Sequence, residues 1–228
     1  MMLSLKNLSK SFGGVKAVDK CGFEVKSNTI TSLIGPNGAG KTTVFNIISG
    51  LTKPDSGTIK LENMNVTNLP AYKIAQAGIN RTFQITKVFR NMTVKDNLLI
   101  AKKTNEEEIK KVLNSVYLHK PLDTIASELS YGQQRLLELA RALIKPHSLL
   151  MLDEPTAGMN PRIRQELKHI LKRLKKEGKT VLLIEHDMDF VMDISDTIVV
   201  LNEGKVLKIG KPKDIIKDKK VLEAYLGK

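Results

Sequence analysis

The sequence contains one cysteine and no long apolar run, and both shortages narrow the class of protein. Cys21 cannot form a disulfide within the chain or join a cluster of thiolate metal ligands, which favours a reducing compartment. Its apolar neighbours indicate a small core side chain. The clearest apolar runs, at 148–152, 181–184 and 198–201, have the length of strands, whereas a membrane-spanning helix needs about 20 residues. Because residues 1–14 also lack the apolar core and cleavage site of a signal peptide, we expect a cytoplasmic protein that reaches a membrane only through a partner.

Negative charge is also scarce. The 228 residues include 37 Lys and Arg against 24 Asp and Glu, which gives a formal net charge of +13. An excess of this size can attract nucleic acid or anionic lipid. Aromatic residues make up only 4% of the chain, however, and no basic run is interleaved with them as in proteins that bind single strands. We therefore expect a lysine-rich solvated surface rather than a nucleic-acid partner, and an exposed helix for the densest basic cluster, residues 211–220.

The distribution of apolar residues is typical of an α/β protein. Apolar strands alternate with amphipathic helices, which predicts a mostly parallel sheet covered on both faces, with ligands at the carboxyl ends of its strands. A polar, helical stretch interrupts this order. We expect one domain over 1–228, with a nucleotide-binding core at 1–85 and 146–228 and a helical subdomain at about 86–145. The predicted strands are 2–8 and 22–26 (an antiparallel pair that begins a β-subdomain), 30–34, 58–61, 78–84, 148–152, 180–184, and 198–201 with 205–209 as a hairpin.

Residues 35–43 read GPNGAGKTT and fill every specified position of the phosphate-loop pattern G-x-x-x-x-G-K-[ST]. The glycines let successive backbone N–H groups point at an anion, and the N-terminus of the following helix adds a positive field. Lys41 can reach the β- and γ-phosphates, and the Thr42 hydroxyl can bind Mg²⁺. A glycine-rich turn that binds nothing is the alternative, but the predicted strand, loop, Lys–Thr pair and helix all favour a nucleoside triphosphate site. Its predicted residues are Gly35, Pro36, Asn37, Gly38, Ala39, Gly40, Lys41, Thr42 and Thr43.

Two adjacent acids follow the apolar run of LLMLDEP at 149–155. Taken alone, they could equally form a helix-capping turn. Paired with the phosphate loop, they favour catalysis, with Asp153 orienting Mg²⁺ together with Thr42 and Glu154 polarising the water that attacks the γ-phosphate.

The segment LSYGQQR at 129–135 resembles the signature motif of the ABC ATPase family, usually LSGGQ, with Tyr131 where glycine is commonest. Ser130 and Gln133 also have the spacing of a helix capping box, and both interpretations can hold. The resemblance implies a P-loop NTPase fold of the ABC ATPase type, in which this helix N-terminus faces a γ-phosphate held by a second protomer. The residues implied in that contact are Ser130, Tyr131, Gly132 and Gln133.

The same resemblance assigns roles to residues that would mean little alone. Phe12 matches the aromatic that stacks on adenine, and Val18 matches an apolar neighbour of the base or ribose. Gln84 matches the glutamine that contacts Mg²⁺ or the attacking water, and His186 matches the histidine at the γ-phosphate. Without the other motifs, Phe12 and His186 would be interpreted as structural. The D-loop of the dimer interface corresponds to 156–160, with Ala157, Gly158, Met159 and Asn160.

The resemblance covers nearly the whole chain and is strongest to the ATPase subunits of branched-chain amino acid importers. It implies ATP and Mg²⁺ as cofactors, a head-to-tail dimer with itself or a paralogous subunit, and integral membrane permease partners at the inner face of the cell membrane. Only 45 residues separate Gln84 from Ser130, fewer than in many of those importers. The ATPase of an exporter, for example of lipids, shares every catalytic motif, and a soluble ABC protein acting on DNA or ribosomes is a third interpretation.

Overall fold

The computed structural model describes residues 1–84 and 86–226 and organises them around two sheets. The expected boundary at residue 85 and the end of the chain at 228 lie outside the described residues. The strands are β1 (Leu3–Phe12), β2 (Val15–Val25), β3 (Ile30–Ile34), β4 (Ser56–Leu61), β5 (Met64–Asn65), β6 (Ile79–Arg81), β7 (Leu149–Asp153), β8 (Thr180–Ile184), β9 (Thr197–Asn202) and β10 (Lys205–Gly210). The helices are α1 (Lys41–Ile48), α2 (Ala71–Gln76), α3 (Val94–Ala101), α4 (Glu106–Ser115), α5 (Tyr131–Leu143), α6 (Pro161–Lys176), α7 (Met188–Ile194), α8 (Pro212–Ile215) and α9 (Lys219–Leu226), with a 3₁₀ turn at Ala126–Glu128.

The larger sheet has the strand order β10-β9-β3-β8-β7-β6 and is parallel except for the final hairpin of β9 and β10. Every residue of β3, β7 and β8 is buried. Along β7 the side chains alternate between two apolar clusters, with Leu150 and Leu152 in one and Leu149 and Met151 in the other. This period of two shows that both faces of the sheet are covered, which confirms the predicted α/β fold.

The smaller sheet is antiparallel, in the order β2-β1-β4-β5, and shares an apolar cluster with α1. Its first two strands confirm the predicted pair, although both are longer than expected. Cys21 is fully buried in this cluster, as predicted, and burial raises the pKa of its thiol to about 12.

Helix α6 shows how local sequence fixes an element. The side chain of Asn160 accepts a hydrogen bond from the N–H of Ile163, and Pro161 occupies the first helical position, where its missing N–H costs nothing. The buried side chains then follow at helical spacing, at Leu167, Ile170, Leu171 and Leu174. The helix therefore covers the sheet with one face and exposes its lysines on the other.

The helices α3, α4 and α5 lie between β6 and β7 in sequence. The fully buried amide of Asn97 anchors the start of this segment, because it donates to the carbonyls of Phe89 and Thr93 (both 3.0 Å) and accepts from the N–H of Phe89 at 2.9 Å.

Two predicted elements differ from the structure. The strand expected over 78–84 ends at Arg81, because the guanidinium of Arg135 binds the carbonyls of Phe83 and Gln84 and pulls the chain out of the sheet. The single exposed helix expected over 211–220 is instead two helices, and Ile215 is buried against β9 while Ile216 stays exposed. Within the described residues, no helix combines the length and apolar character needed to cross a membrane.

Candidate nucleotide site

The phosphate loop joins β3 to α1 with glycines that tight packing requires. Gly35 and Gly40 have φ angles of +151° and +96°. A Cβ on Gly35 would lie 2.2 Å from the carbonyl oxygen of Leu201, and one on Gly40 would lie 2.3 Å from that of Ala17. The neighbouring strands β9 and β2 therefore dictate the shape of the loop.

Lys41 lies beneath this loop. Its Nζ donates to the carbonyls of Gly35 (2.7 Å) and Pro36 (2.9 Å), and the residue is only 6% exposed. Burial lowers the pKa of Lys41, while the carboxylates of Glu154 and Asp153 oppose that shift. Of the other predicted loop residues, Ala39 points into the core, whereas Asn37, Gly38 and Thr42 are exposed, and Pro36, Gly40 and Thr43 are partly so. The outer side of the loop is open to solvent, and the ammonium group of Lys41 lies beneath it.

The three predicted catalytic residues are in contact, because the side chains of His186 and Gln84 both bind the carboxylate of Glu154. Glu154 lies one residue beyond β7, where its N–H donates to the carbonyl of Ile184 at the end of β8. Its Oε1 is 2.8 Å from Nε2 of His186, and its Oε2 accepts from Nε2 of Gln84 at 3.0 Å. Both oxygens are thus held by side chains that come from two different strand ends. Such an arrangement can aim a carboxylate at a water molecule.

Asp153 is nearly fully buried and forms an ion pair that sequence reasoning missed. Its Oδ2 lies 2.7 Å from Nη2 of Arg81, which is equally buried. Sequence reasoning also missed Glu185, whose carboxylate accepts the N–H groups of Thr156 (2.8 Å) and His186 (3.0 Å). The signal that could have found Glu185 is its position between a predicted strand and His186. Through these two hydrogen bonds Glu185 holds the D-loop and His186 in place.

The signature segment begins α5 with the predicted capping box. Ser130 Oγ accepts the N–H of Gln133 at 3.4 Å, and the Gln133 side chain accepts the N–H of Ser130 at 3.0 Å. Tyr131 is exposed and covers Gly158, where a Cβ would lie 2.7 Å from the ring. Gly132 is buried against Ile163, where a Cβ would lie 2.4 Å from Cδ1. The signature segment and the D-loop of one chain are therefore packed together.

Two of the predicted site residues are buried. Val18 is fully buried in the core cluster and supports β2 from within. Met159 is only 7% exposed and packs into the cluster with α5 and α6, so it anchors the D-loop. Gly158 and Asn160 remain exposed, and Ala157 is partly so.

Phe12, by contrast, is available to a ligand. It ends β1, pairs with Val15 across the turn, and is 50% exposed. The ammonium of Lys10 lies 5.4 Å from the centre of its ring. Of the three other histidines, His119 and His169 are exposed, whereas His147 is half-buried and its pKa is lowered by burial.

A family comparison identifies this arrangement. The model described as "ABC transporter" matches residues 18–157, which include the phosphate loop, the signature segment and the two acids at the end of β7, Asp153 and Glu154. The chain belongs to the ABC transporter family. It is an ATP-binding and ATP-hydrolysing domain of that family, as its motifs predicted. A model described as "AAA domain, putative AbiEii toxin, Type IV TA system" also matches a shorter stretch, residues 122–193.

Several ABC transporter relatives are similar over nearly their whole length. The chain is 42% identical to the high-affinity branched-chain amino acid transport ATP-binding protein LivG of Salmonella typhimurium, over 99% of this chain and 98% of that one. It is 41% identical to the corresponding BraF protein of Pseudomonas aeruginosa, over 99% and 98%. The probable branched-chain amino acid transport ATP-binding protein LivG of Archaeoglobus fulgidus is 40% identical, over 99% and 95%.

Solved structures of ABC transporter cassettes share the fold. An ATP-binding cassette in its ADP conformation superposes with a TM-score of 0.91 at 35% identity, covering 100% of this chain and 99% of that one. A dimeric bacterial ABC transporter cassette superposes with a TM-score of 0.82 at 27% identity, covering 92% and 99%. These matches confirm the predicted ABC ATPase fold.

Proposed function

We propose that the chain is the ATPase subunit that energises an importer of branched-chain or other hydrophobic amino acids. The observation that carries this proposal is the near full-length similarity, at 40–42% identity, to proteins named for branched-chain amino acid transport. The geometry supports an ATPase at the same place, because Gln84, Glu154 and His186 converge beside the phosphate loop.

The site residues divide into binding and catalytic groups. Backbone N–H groups of 35–43 and the ammonium of Lys41 hold the phosphates, while the exposed ring of Phe12 stacks on the base. Hydroxyl, amide and carboxylate oxygens suit a hard cation, so Thr42, Gln84 and Asp153 would hold magnesium. When bound, Mg²⁺ neutralises charge that develops on the phosphoryl oxygens.

Glu154 polarises the attacking water, and its two side-chain partners determine where it points. His186 and Gln84 hold one oxygen each, so the carboxylate has a single orientation rather than several. The side chain of His186 is 39% exposed, so it remains accessible to a γ-phosphate while it holds Glu154. Pre-positioned polar groups of this kind lower a barrier because they need no reorganisation during the reaction.

A second protomer completes the site. Ser130 opens α5 with an exposed N-terminus, which is a favourable place for an anion. In a head-to-tail dimer, Ser130 and Gly132 of each chain supply donors to the γ-phosphate held by the other chain. Two solved structures of ABC transporter cassettes are described as dimeric, one of them with ADP and Pi bound, which supports this arrangement.

A cleft of about 550 Å³ is the proposed binding site of the permease. It lies between α2 and β6 on one side and α3 and α5 on the other, and its lining includes the exposed apolar side chains of Leu51, Phe89 and Ile100. Lys87 and Lys145 add positive charge, which favours a partner segment with acidic and apolar residues. Phe83 lines the cleft and precedes Gln84, whose side chain binds Glu154, so a movement in this cleft would reach the catalytic carboxylate. The subunit would then lie at the inner face of the membrane, attached through the permease.

The proposal is tested by purifying the tagged protein from its own membranes and measuring uptake of leucine, isoleucine and valine in vesicles that contain the complex. We expect two multi-spanning subunits to accompany it and uptake to require ATP. Uptake should cease with Glu154→Gln and persist with Glu177→Gln, an exposed acid that pairs with Arg173 away from the site. Co-purification with ribosomes or DNA, or lipid export without amino acid uptake, would refute the assignment.

A further inference from the structure

Arg81 is a charged residue in an almost fully buried position. It ends β6, and its side chain is 6% exposed. Placing a guanidinium there costs free energy unless its donors are well satisfied. Both terminal nitrogens of Arg81 are hydrogen-bonded, whereas its buried Nε has no hydrogen-bond partner within the described residues. The contacts of the terminal nitrogens therefore indicate its role.

The guanidinium connects two elements of the nucleotide site. Nη2 binds Oδ2 of Asp153 at 2.7 Å, at the end of β7. Nη1 donates to Oδ1 of Asn46 and to Oγ of Ser49, both at 2.8 Å, on and immediately after α1. Because α1 begins at the phosphate loop and carries Thr42, Arg81 links the helix of one proposed magnesium ligand to the strand of the other.

Two aromatic rings restrict the orientation of this side chain. The centres of the Phe45 and Phe83 rings lie 5.5 and 5.0 Å from the guanidinium carbon. A planar guanidinium with fixed donors on both sides has one orientation, whereas a lysine ammonium in the same place would bind as a point charge.

We propose that Arg81 is a positioning residue for magnesium. By holding Oδ2 of Asp153, it leaves Oδ1 available to the cation, and by binding Asn46 and Ser49 it fixes the distance from Asp153 to the helix that carries Thr42. This inference rests on the proposed nucleotide site. It assigns Arg81 no contact with the nucleotide, so its effect should depend on the metal.

The test is a magnesium titration of ADP binding, because ADP is not hydrolysed during the measurement. We expect Arg81→Gln to raise the Mg²⁺ concentration at half-saturation by about tenfold, as is typical when a group that orients a metal ligand is lost. Affinity for ADP in EDTA should remain as in the wild type, because the phosphate loop is intact. Arg81→Lys keeps the positive charge but loses the paired donors of the guanidinium. We therefore expect the Mg²⁺ concentration at half-saturation to lie between those of the wild type and Arg81→Gln.

The control variant is Asn80→Ala. Asn80 precedes Arg81 in β6 and is similarly buried, but its amide donates to the carbonyl of Ala142, away from Asp153. Asn80→Ala should lower thermal stability without changing the Mg²⁺ dependence. If Arg81→Gln does not fold, Arg81→Lys decides the question.

Three results would separate the possible failures. A folded Arg81 variant with the wild-type Mg²⁺ dependence would overturn the inference. Equal loss of ADP affinity with and without Mg²⁺ would also overturn it, because Arg81 would then shape the loop rather than the metal site. If wild-type ADP binding does not respond to Mg²⁺ at all, the proposed magnesium site itself fails.

Discussion

At the scale of single residues, the site depends on one carboxylate, that of Glu154, whose two oxygens both have hydrogen-bond partners. Glu154 has a φ of +46°, which is uncommon for a residue other than glycine, and both its side-chain oxygens have partners. Strain of this kind persists where the surroundings determine one conformation. Here the surroundings are the ends of β7 and β8, which hold the backbone of Glu154.

Glu154→Gln keeps the size of the side chain and removes its charge. We expect ATP hydrolysis to fall by at least 100-fold, because a general base is lost, while ATP binding is retained. The bound nucleotide should then hold two chains together, and size-exclusion chromatography with ATP should show a dimer. A variant that stays monomeric with ATP and hydrolyses it normally would remove Glu154 from the mechanism.

Cys21 offers a probe of folding at the same scale. Its thiol is fully buried and its pKa is raised to about 12, so the native protein presents no thiolate at neutral pH. We expect iodoacetamide to label it only after the chain opens. Magnesium with ADP at 100 times the dissociation constant should slow labelling roughly 100-fold, because only the folded state binds nucleotide. Rapid labelling of the native protein, measured by mass spectrometry against a urea-unfolded control, would contradict this.

At the scale of elements, the signature segment and the D-loop form a matched pair. Gly158 has a φ of +70°, and Tyr131 covers it closely enough that any side chain would collide with the ring. Tyrosine stands where the family signature usually has glycine, and the contact explains why the facing position is itself a glycine. The two segments fit because residue 131 has a large side chain and residue 158 has none.

This fit predicts a coupled pair of substitutions. Gly158→Ala should destabilise the fold by about 1–3 kcal/mol from backbone strain, with a further cost from the collision with Tyr131. Tyr131→Gly should relieve the collision but not the strain, so the double variant should be more stable than additivity predicts. Urea denaturation of the four proteins measures this. If the changes in the free energy of unfolding were strictly additive, the ring of Tyr131 would have to move aside at no cost.

Elements were predictable from sequence where local chemistry alone determines them. The apolar run at 180–184 was sufficient to predict β8, which has those bounds in the structure. The local signals of α6 are equally clear, since Asn160 caps this helix and Pro161 begins it. The end of β6 depends on Arg135, which is distant in sequence, so the strand was predicted to continue to residue 84 although it ends at Arg81. The full burial of Val18 and the ion pair of Arg81 were missed for the same reason, since burial and ion pairing depend on which strands become neighbours.

At the scale of the whole molecule, the excess of lysine has several local partners. The carboxylates of Asp193 and Asp218 pair with Lys172 and Lys208, and such exposed pairs contribute little stability. The feature that interrupts this charged surface is the cleft of about 550 Å³, where apolar side chains of Leu51, Phe89 and Ile100 are exposed together. Exposed apolar groups gathered in a cleft favour a bound partner over a bare surface.

Ile100→Lys tests that surface in the assembled complex. Ile100 is 51% exposed in the cleft, so the change should be tolerated by the fold and should place a charge where an apolar contact is expected. We expect the permease subunits to be lost from the purified complex. The matched control is Ile216→Lys, at a residue that is 55% exposed but lies after α8, outside the cleft. If both variants retain the permease equally, or both lose it, the effect of the new lysine does not depend on whether it lies in the cleft. The cleft is then not the docking site.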